Sequence, residues 1–250
     1  MTAEMADRFA ASVLARCEVV PQPPIPVDAI AWTLGVDEIH QVSMVEDGRL
    51  VQRNGCTTVF LREETGAARQ RFTLAHELGH LLLAEPDEDL EAHRMPPVRF
   101  DSEERFCDQF AAALLLPKRW IEDEFTEAEP SLGIARNVAG RSGVSLSASM
   151  LRLREVLGWQ SSLLHWRRYQ GAWRLASTVG LPSFFHNQVT SNEQTRAVLS
   201  SLAGSEQDRR GMLPLVIRGR SCQVPVEISA GWHGAVAMAA FSEAIPDSPK

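Results

Sequence analysis

The chain has 250 residues, of which 44% are apolar and 23% charged, and a formal net charge of −7. These values are those of an ordinary soluble globular protein, long enough to bury a sizeable core and to favour two domains over one. No apolar run is long enough to span a membrane, and the four cysteines (Cys17, Cys56, Cys107, Cys222) are scattered without a Cys-x-x-Cys pair, which excludes a disulfide framework or a cysteine-based metal knuckle.

The first residues, Met1 to Asp7, are acidic and helical in character and carry no basic start before an apolar core. A secretion signal is therefore not expected, and reduced thiols point to the cytoplasm. Pro26 to Gly35 reads as a short helix, with proline near its first turn and glycine just past its end. Thr57 to Leu61 is rich in β-branched and aromatic residues and reads as a strand.

The most informative stretch follows. Phe72 to Ala84 contains His76-Glu77-Leu78-Gly79-His80 within an apolar helical segment. On an α-helix His76 and His80 leave the same face one turn apart, a spacing that suits two ligands of one tetrahedral Zn²⁺. Glu77 projects to the side of that face, where it can take a proton from water at the metal without binding the metal itself. A catalytic zinc site needs a third protein ligand, and Glu104 to Pro117 offers one on a second buried helix. There Glu104 and Asp108 stand at i and i+4, so Glu104 can bind the ion while Asp108 accepts the ring N–H of a ligand histidine. His93, between the two helices, is an alternative third ligand, and Cys107 a thiol near enough to ligate in a resting state.

The stretch Arg69 to His80, taken with Glu104 to Pro117, resembles the ImmA/IrrE family of bacterial metallopeptidases. The resemblance implies a small zincin fold with His76, His80 and Glu104 as ligands of one Zn²⁺ per chain, Glu77 as general base and Asp108 in support. It also implies that the Thr57–Leu61 strand edges the cleft and pairs with substrate backbone, and that the substrate is a regulatory protein, a helix–turn–helix repressor, cut to induce a stress or mobile-element response. Cys107-Asp108 stands where the family has Ala-Asn, and Leu116 where it has Met. The partner that would stabilise an oxyanion stays open among Arg69, Arg71, His93 and Tyr169.

Leu132 to Arg154 reads as a helix–turn–helix, with Gly143 in the turn, Ser145 as N-cap, and Ile134, Val138, Val144, Met150 and Leu153 as a small core. Arg141, Arg152 and Arg154 are candidates for contact with phosphates or a partner, although a packing role for the segment is favoured over DNA binding. Beyond it, Trp173 to Val179 alternates as a half-buried strand. A helix is expected over Asn192 to Ala203, with further strands at Leu215–Arg218, Val224–Ile228 and Val236–Phe241. The tail from Ser242 reads as disordered, and His165, His186 and His233 as ordinary surface or core histidines.

The fold expected is α+β: a mostly helical zincin-like domain with a short sheet over residues 1–128, a helix–turn–helix-like segment over 129–158, and a mixed-sheet, GAF-like sensor or docking domain over 159–250. Residues 1–158 carry 16 Lys/Arg against 26 Asp/Glu and residues 159–250 carry 9 against 6. The acidic runs Glu85–Glu91 and Glu122–Glu129 read as solvated loops, with attraction of a basic partner as the alternative. The rivals to a zinc metalloendopeptidase are a non-proteolytic regulator that sequesters a repressor, and a DNA-binding transcription factor. No membrane partner is expected, and the oligomeric state stays open.

Overall fold

Thr2 caps the first helix, α1 (Ala3–Arg16), its side chain accepting the Met5 N–H. The computed structural model describes residues 2–84, 100–181, 188–205, 207–231 and 234–240. His93, the acidic run Glu85–Glu91, His186, His233 and the tail from Ser242 lie outside the described residues. Two compact units are distinguishable, Met1–Thr126 with Val138–Ala148, and Glu127–Asn137 with Ser149–Lys250.

In the first unit, α1 buries Phe9, Ala10, Val13 and Leu14, and Phe9 meets Phe106 edge-on with ring centroids 5.4 Å apart. Helix α2 (Val27–Thr33) starts after Pro26 and is closed by Gly35, whose φ of +88° is open to glycine without strain. Three strands follow: β1 (Glu38–Val42), β2 (Gly48–Arg53) and β3 (Cys56–Arg62), in sheet order β1-β3-β2. β1 runs parallel to β3 and β2 antiparallel to it. The β2–β3 turn is Asn54-Gly55, both residues left-handed (φ 54° and 76°), the two-residue connection whose twist matches that of the flanking strands.

The expected Thr57–Leu61 strand lies within β3, but its position corrects the expectation that it edges the cleft. β3 is central, hydrogen-bonded on both sides, and among the described residues the strand with an unpaired edge beside the helix that carries His76 is β2.

Helices α3 (Ala67–Ala84), α4 (Phe100–Leu115) and α5 (Lys118–Phe125) complete this part. Leu74, Leu78, Leu81, Phe106, Phe110 and Leu114 are fully buried, as their helical spacing predicts. The α3 and α4 backbones approach closely at Gly79. A Cβ there would lie 3.0 Å from Cys107 Sγ and 3.1 Å from Cys107 Cα.

Helices α6 (Leu132–Ser142) and α7 (Leu146–Leu157) are joined by a turn in which Gly143 has φ +63° and Ser145 Oγ accepts the Ala148 N–H at 3.1 Å. Ser149 Oγ, at the start of the second unit's share of α7, donates to the Ala135 carbonyl at 2.8 Å. Val138, Met150 and Leu153 are buried, and Ile134 is half-buried.

The second unit continues with β4 (Ser161–Tyr169), β5 (Ala172–Val179), β6 (Val189–Thr190), α8 (Glu193–Leu202), β7 (Arg209–Ile217), β8 (Arg220–Ala230) and β9 (Gly234–Ala240). The sheet order is β5-β4-β9-β8-β7-β6. Every pairing described is antiparallel, which corrects the expected mixed sheet. Two-residue turns such as Arg218-Gly219 (φ 52° and 75°) join neighbours head to tail and leave no room for a parallel crossover. Helix α8 opens on a capping box between Asn192 and Thr195, and its Leu199 joins a core of Trp166, Leu213, Leu215 and Ile228. The chain is thus α+β, with eight helices and two sheets among the described residues.

Gly79→Val should wedge α3 from α4 and cost about 1–3 kcal/mol, the usual range for an overpacked core. Urea unfolding of the two proteins measures it, and an unchanged midpoint would show that the close approach is not required.

Candidate metal centre

The cleft beside α3 has a volume of about 820 Å³ and is lined by one stripe of that helix (Arg69, Phe72, Thr73, His76, Glu77, His80), by Asp47 to Leu50 before and in β2, and by Glu104 and Asp108 of α4. A helix repeats its direction about every 3.6 residues, so the α3 positions share one face while Leu74, Leu78 and Leu81 turn into the core.

His76 Nε2 and His80 Nε2 are 3.2 Å apart. Glu104 brings one carboxylate oxygen to 3.3 Å from His76 Nε2 and the other to 3.3 Å from His80 Nε2. Donors at about 2.05 Å from a tetrahedral ion are separated by about 3.3 Å, which is the spacing of the two imidazole nitrogens and of each from one oxygen of the carboxylate. His76 Nδ1 lies 3.0 Å from Asp108 Oδ1. A carboxylate only accepts, so Nδ1 is the donor in this contact, and a neutral ring would then turn its Nε2 lone pair to the cleft. Two imidazole nitrogens and a carboxylate this close need a proton or a metal cation among them. The donor set therefore fits a divalent ion.

Cys107 belongs to a looser grouping, its Sγ within 4.8 Å of donor atoms of His76 and His80. It is fully buried against Gly79. Burial, aided by the carboxylates of Glu104, Glu77 and Asp108, pushes its thiol up, whereas a ligand thiol must be ionised. Glu104 is the more open of the two, its side chain 43% exposed.

Glu77 is 8% exposed. Burial raises its carboxyl above the ordinary glutamate range, and the two imidazoles and the Leu50 N–H, which donates to it, offset this only in part. Burial also works against a charge on His76, but Asp108 and the neighbouring glutamates outweigh it and hold the imidazole above its usual value. Gly48 lets β2 lie close to this carboxylate, since a Cβ there would meet Thr73 Cγ2 at 2.3 Å and Glu77 Oε1 at 2.7 Å.

Of the oxyanion candidates, Arg69 lines the cleft and pairs with Asp47 at 2.5 Å. Arg71 instead donates to the Ile25 carbonyl at 2.8 Å and the Ser142 carbonyl at 3.4 Å, which fastens the chain before α2 to the end of α6. Tyr169 ends β4 in the second unit.

The three arginines singled out as contacts for phosphate or a partner are occupied within the fold. Arg141 forms two hydrogen bonds to Glu124 and lies over the Trp120 ring at 4.9 Å. Arg152 is 2% exposed and bonds Glu155 at 2.8 Å. Arg154 donates to the Ser161 carbonyl and is half-buried beside Gly180. A buried or paired guanidinium is a poor phosphate ligand, so these residues do not form a free basic face. The Glu122–Glu129 run is likewise partly engaged, through Lys118–Glu122 and Arg141–Glu124.

Strand β2 and its Leu50 N–H were not foreseen. The signal was present: Asn54-Gly55 between Leu50-Val51 and the next strand is a hairpin signature that places a partner strand before β3. A second, more apolar cavity of about 500 Å³ between α1 and the α4–α5 junction has no histidine or cysteine in its lining.

Residues 40–154 match the family described as the IrrE N-terminal-like domain. The radiation response metalloprotease IrrE of Deinococcus deserti is 33% identical over 104 residues, which are 39% of this chain and 36% of that protein. The protein of the same name from Deinococcus radiodurans is 35% identical over 94 residues, 35% of this chain and 27% of its own length. The matched part thus spans little more than a third of these curated relatives, or less. The solved structure of a Mycobacterium tuberculosis transcriptional regulator shares the fold with a TM-score of 0.56 at 13% identity, over 94% of this chain and 76% of that one.

Asp108→Ala should weaken Zn²⁺ binding about 10–100-fold while leaving the fold intact, because it releases the orientation and tautomer of His76. Competition with a chromogenic chelator reads the affinity, and a wild-type value would deny Asp108 any part in holding the ring.

Proposed function

Because this chain belongs, through residues 40–154, to the IrrE N-terminal-like domain family, we propose that it is a zinc metalloendopeptidase that cleaves a regulatory protein, a helix–turn–helix transcriptional repressor, in a stress response. The observation that carries the reading is the 3.2–3.3 Å triangle of His76, His80 and Glu104 beside a buried carboxylate, Glu77. His76, His80 and Glu104 would hold one Zn²⁺ per chain, with Asp108 fixing the His76 ring. When bound, that ion supplies a Lewis acid that polarises a peptide carbonyl and brings the pKa of water it holds to about 7.

The chain's own groups supply the remainder. Apart from the Leu50 N–H, which Glu77 engages, the outer edge of β2 has no partner strand among the described residues, and an extended peptide can add there along the cleft. Glu77 accepts the proton as water attacks the carbonyl and returns it to the leaving amine. Its burial suits both tasks, since a carboxylate held above its ordinary range binds a proton more readily near neutral pH. The Leu50 N–H fixes one oxygen of that carboxylate and leaves the other for water. Arg69 is the described candidate nearest the cleft for contacts to the substrate.

We read residues 1–128 as the zincin-like peptidase domain, 129–158 as a structural helix–turn–helix and 159–250 as a GAF-like sensing or docking domain. The last is supported by an antiparallel sheet whose first strand, β4, lies beside its last, β9. No helix among the described residues is long and apolar enough to cross a membrane. The engaged state of Arg141, Arg152 and Arg154 weighs against a transcription factor acting through α6 and α7.

Glu77→Gln should retain zinc and lose cleavage by a factor of about 10² or more, the usual contribution of a general base. Co-expression with helix–turn–helix repressors encoded nearby, scored by a shortened product, tests this; normal cutting by the variant would remove Glu77 from the mechanism. For the third ligand, Glu104→Ala should abolish stoichiometric zinc while Cys107→Ser keeps it, as measured by elemental mass spectrometry. The reverse pattern would make the thiol the ligand.

A further inference from the structure

The chain carries a net negative charge, yet between Glu155 and Glu193 it has no acidic residue. The β4–β5 hairpin lies in this interval and bears Arg167, Arg168 and Arg174. Arg167 and Arg174 are direct cross-strand partners, so both guanidinium groups project from the same sheet face within reach of one another. Like charges placed opposite each other oppose pairing of the strands, and neither residue has an ion-pair partner among the described residues. No packing role accounts for the pair, because both side chains are exposed.

The cross-strand neighbours that are described add little bulk. Gly234, opposite Arg167 on β9, contributes no side chain, and Ala172, opposite Tyr169, contributes only a methyl group. Tyr169, the chain's single tyrosine, is 58% exposed, and the Arg174 guanidinium lies over its ring at 5.5 Å. One ring face is thus covered by a cation, and more than half of the side chain stays exposed. Arg168, over the Trp173 ring at 6.0 Å, extends the positive field around the hairpin tip.

Two guanidinium groups without a counterion among the described residues, beside an exposed aromatic ring, match a phosphodiester backbone with an unstacked base. The face is shallow, which suits a polymer held at several points better than a free nucleotide. A ring standing on a sheet surface reaches a base only when that base is out of a duplex. We propose that the β4–β5 hairpin is a binding site for single-stranded nucleic acid, with Arg167 and Arg174 on successive phosphates and Tyr169 stacked on a base. The site does not depend on the metal centre or on peptidase activity.

Fluorescence anisotropy of the full-length chain with a labelled oligothymidylate of about 15 nucleotides tests it, titrated from about 50 to about 200 mM KCl. Binding should weaken steeply with salt. The Arg167→Ser/Arg174→Ser double variant should reduce the log–log salt slope by about 1.4, or about 0.7 for each phosphate no longer neutralised. Tyr169→Ala should weaken binding about five-fold or more at every salt concentration. Arg119→Ala, at an exposed site on α5, should change nothing. Thermal melting of the arginine variant should match or exceed the wild type, since it removes a repulsion; if it melts early, the single Arg174→Gln variant replaces it. No binding at low salt, binding indifferent to all three residues, or tighter binding of a duplex would overturn the proposal. So would an equal affinity for poly-glutamate that the same variants abolish, which would make the face an acidic-protein site.

Discussion

Two buried helices meet where one of them lacks a side chain, and the candidate metal centre depends on that contact. With Gly79 against Cys107, α3 and α4 lie close enough for His76 and His80 on one helix to face Glu104 and Asp108 on the other. The polar groups do not hold the helices together by themselves, because exposed ion pairs contribute little. Leu74, Leu78, Phe106, Phe110 and Leu114 do that, and the donor atoms are presented ready-spaced by a wall that excludes water from one side. Cys107 follows the same logic: a small thiol, protonated and buried, fills the contact where a larger residue would part the helices.

Within this frame neighbouring carboxylates acquire different characters from their surroundings alone. Glu77 faces the interior, bonded by the Leu50 N–H, and favours its protonated form more than an ordinary glutamate does. Glu104 and Asp108 are more open to solvent and sit against imidazole nitrogens. Burial thus gives one of three neighbouring carboxyl groups a raised proton affinity without any change of residue type.

Legibility in the sequence followed the range of the interactions. The helices around His76 and Glu104 could be read because their apolar positions repeat locally, and the i,i+4 pairs His76/His80 and Glu104/Asp108 share faces by helix geometry alone. The Ser145 cap, the turn at Gly143 and the α8 helix were likewise local signals. What escaped reading was set by partners distant in sequence. That β3 is central depends on β1 and β2 pairing to either side of it. That Arg141, Arg152 and Arg154 are engaged depends on Glu124, on burial and on the Ser161 carbonyl, none of which arginine's helical position reveals. The antiparallel sheet of the second unit was within reach, since Gln170-Gly171 and Arg218-Gly219 are two-residue hairpin turns.

The Asn54-Gly55 turn has a chemical consequence as well as a topological one. Strand side chains alternate between faces, so one residue added to this loop would slip β2 along β3 by a single step. Arg49 would then replace Gly48 against Thr73 and Glu77, where no side chain beyond a hydrogen now fits. The room that β2 leaves for the buried glutamate is therefore set by the length of a two-residue loop at the far end of the hairpin.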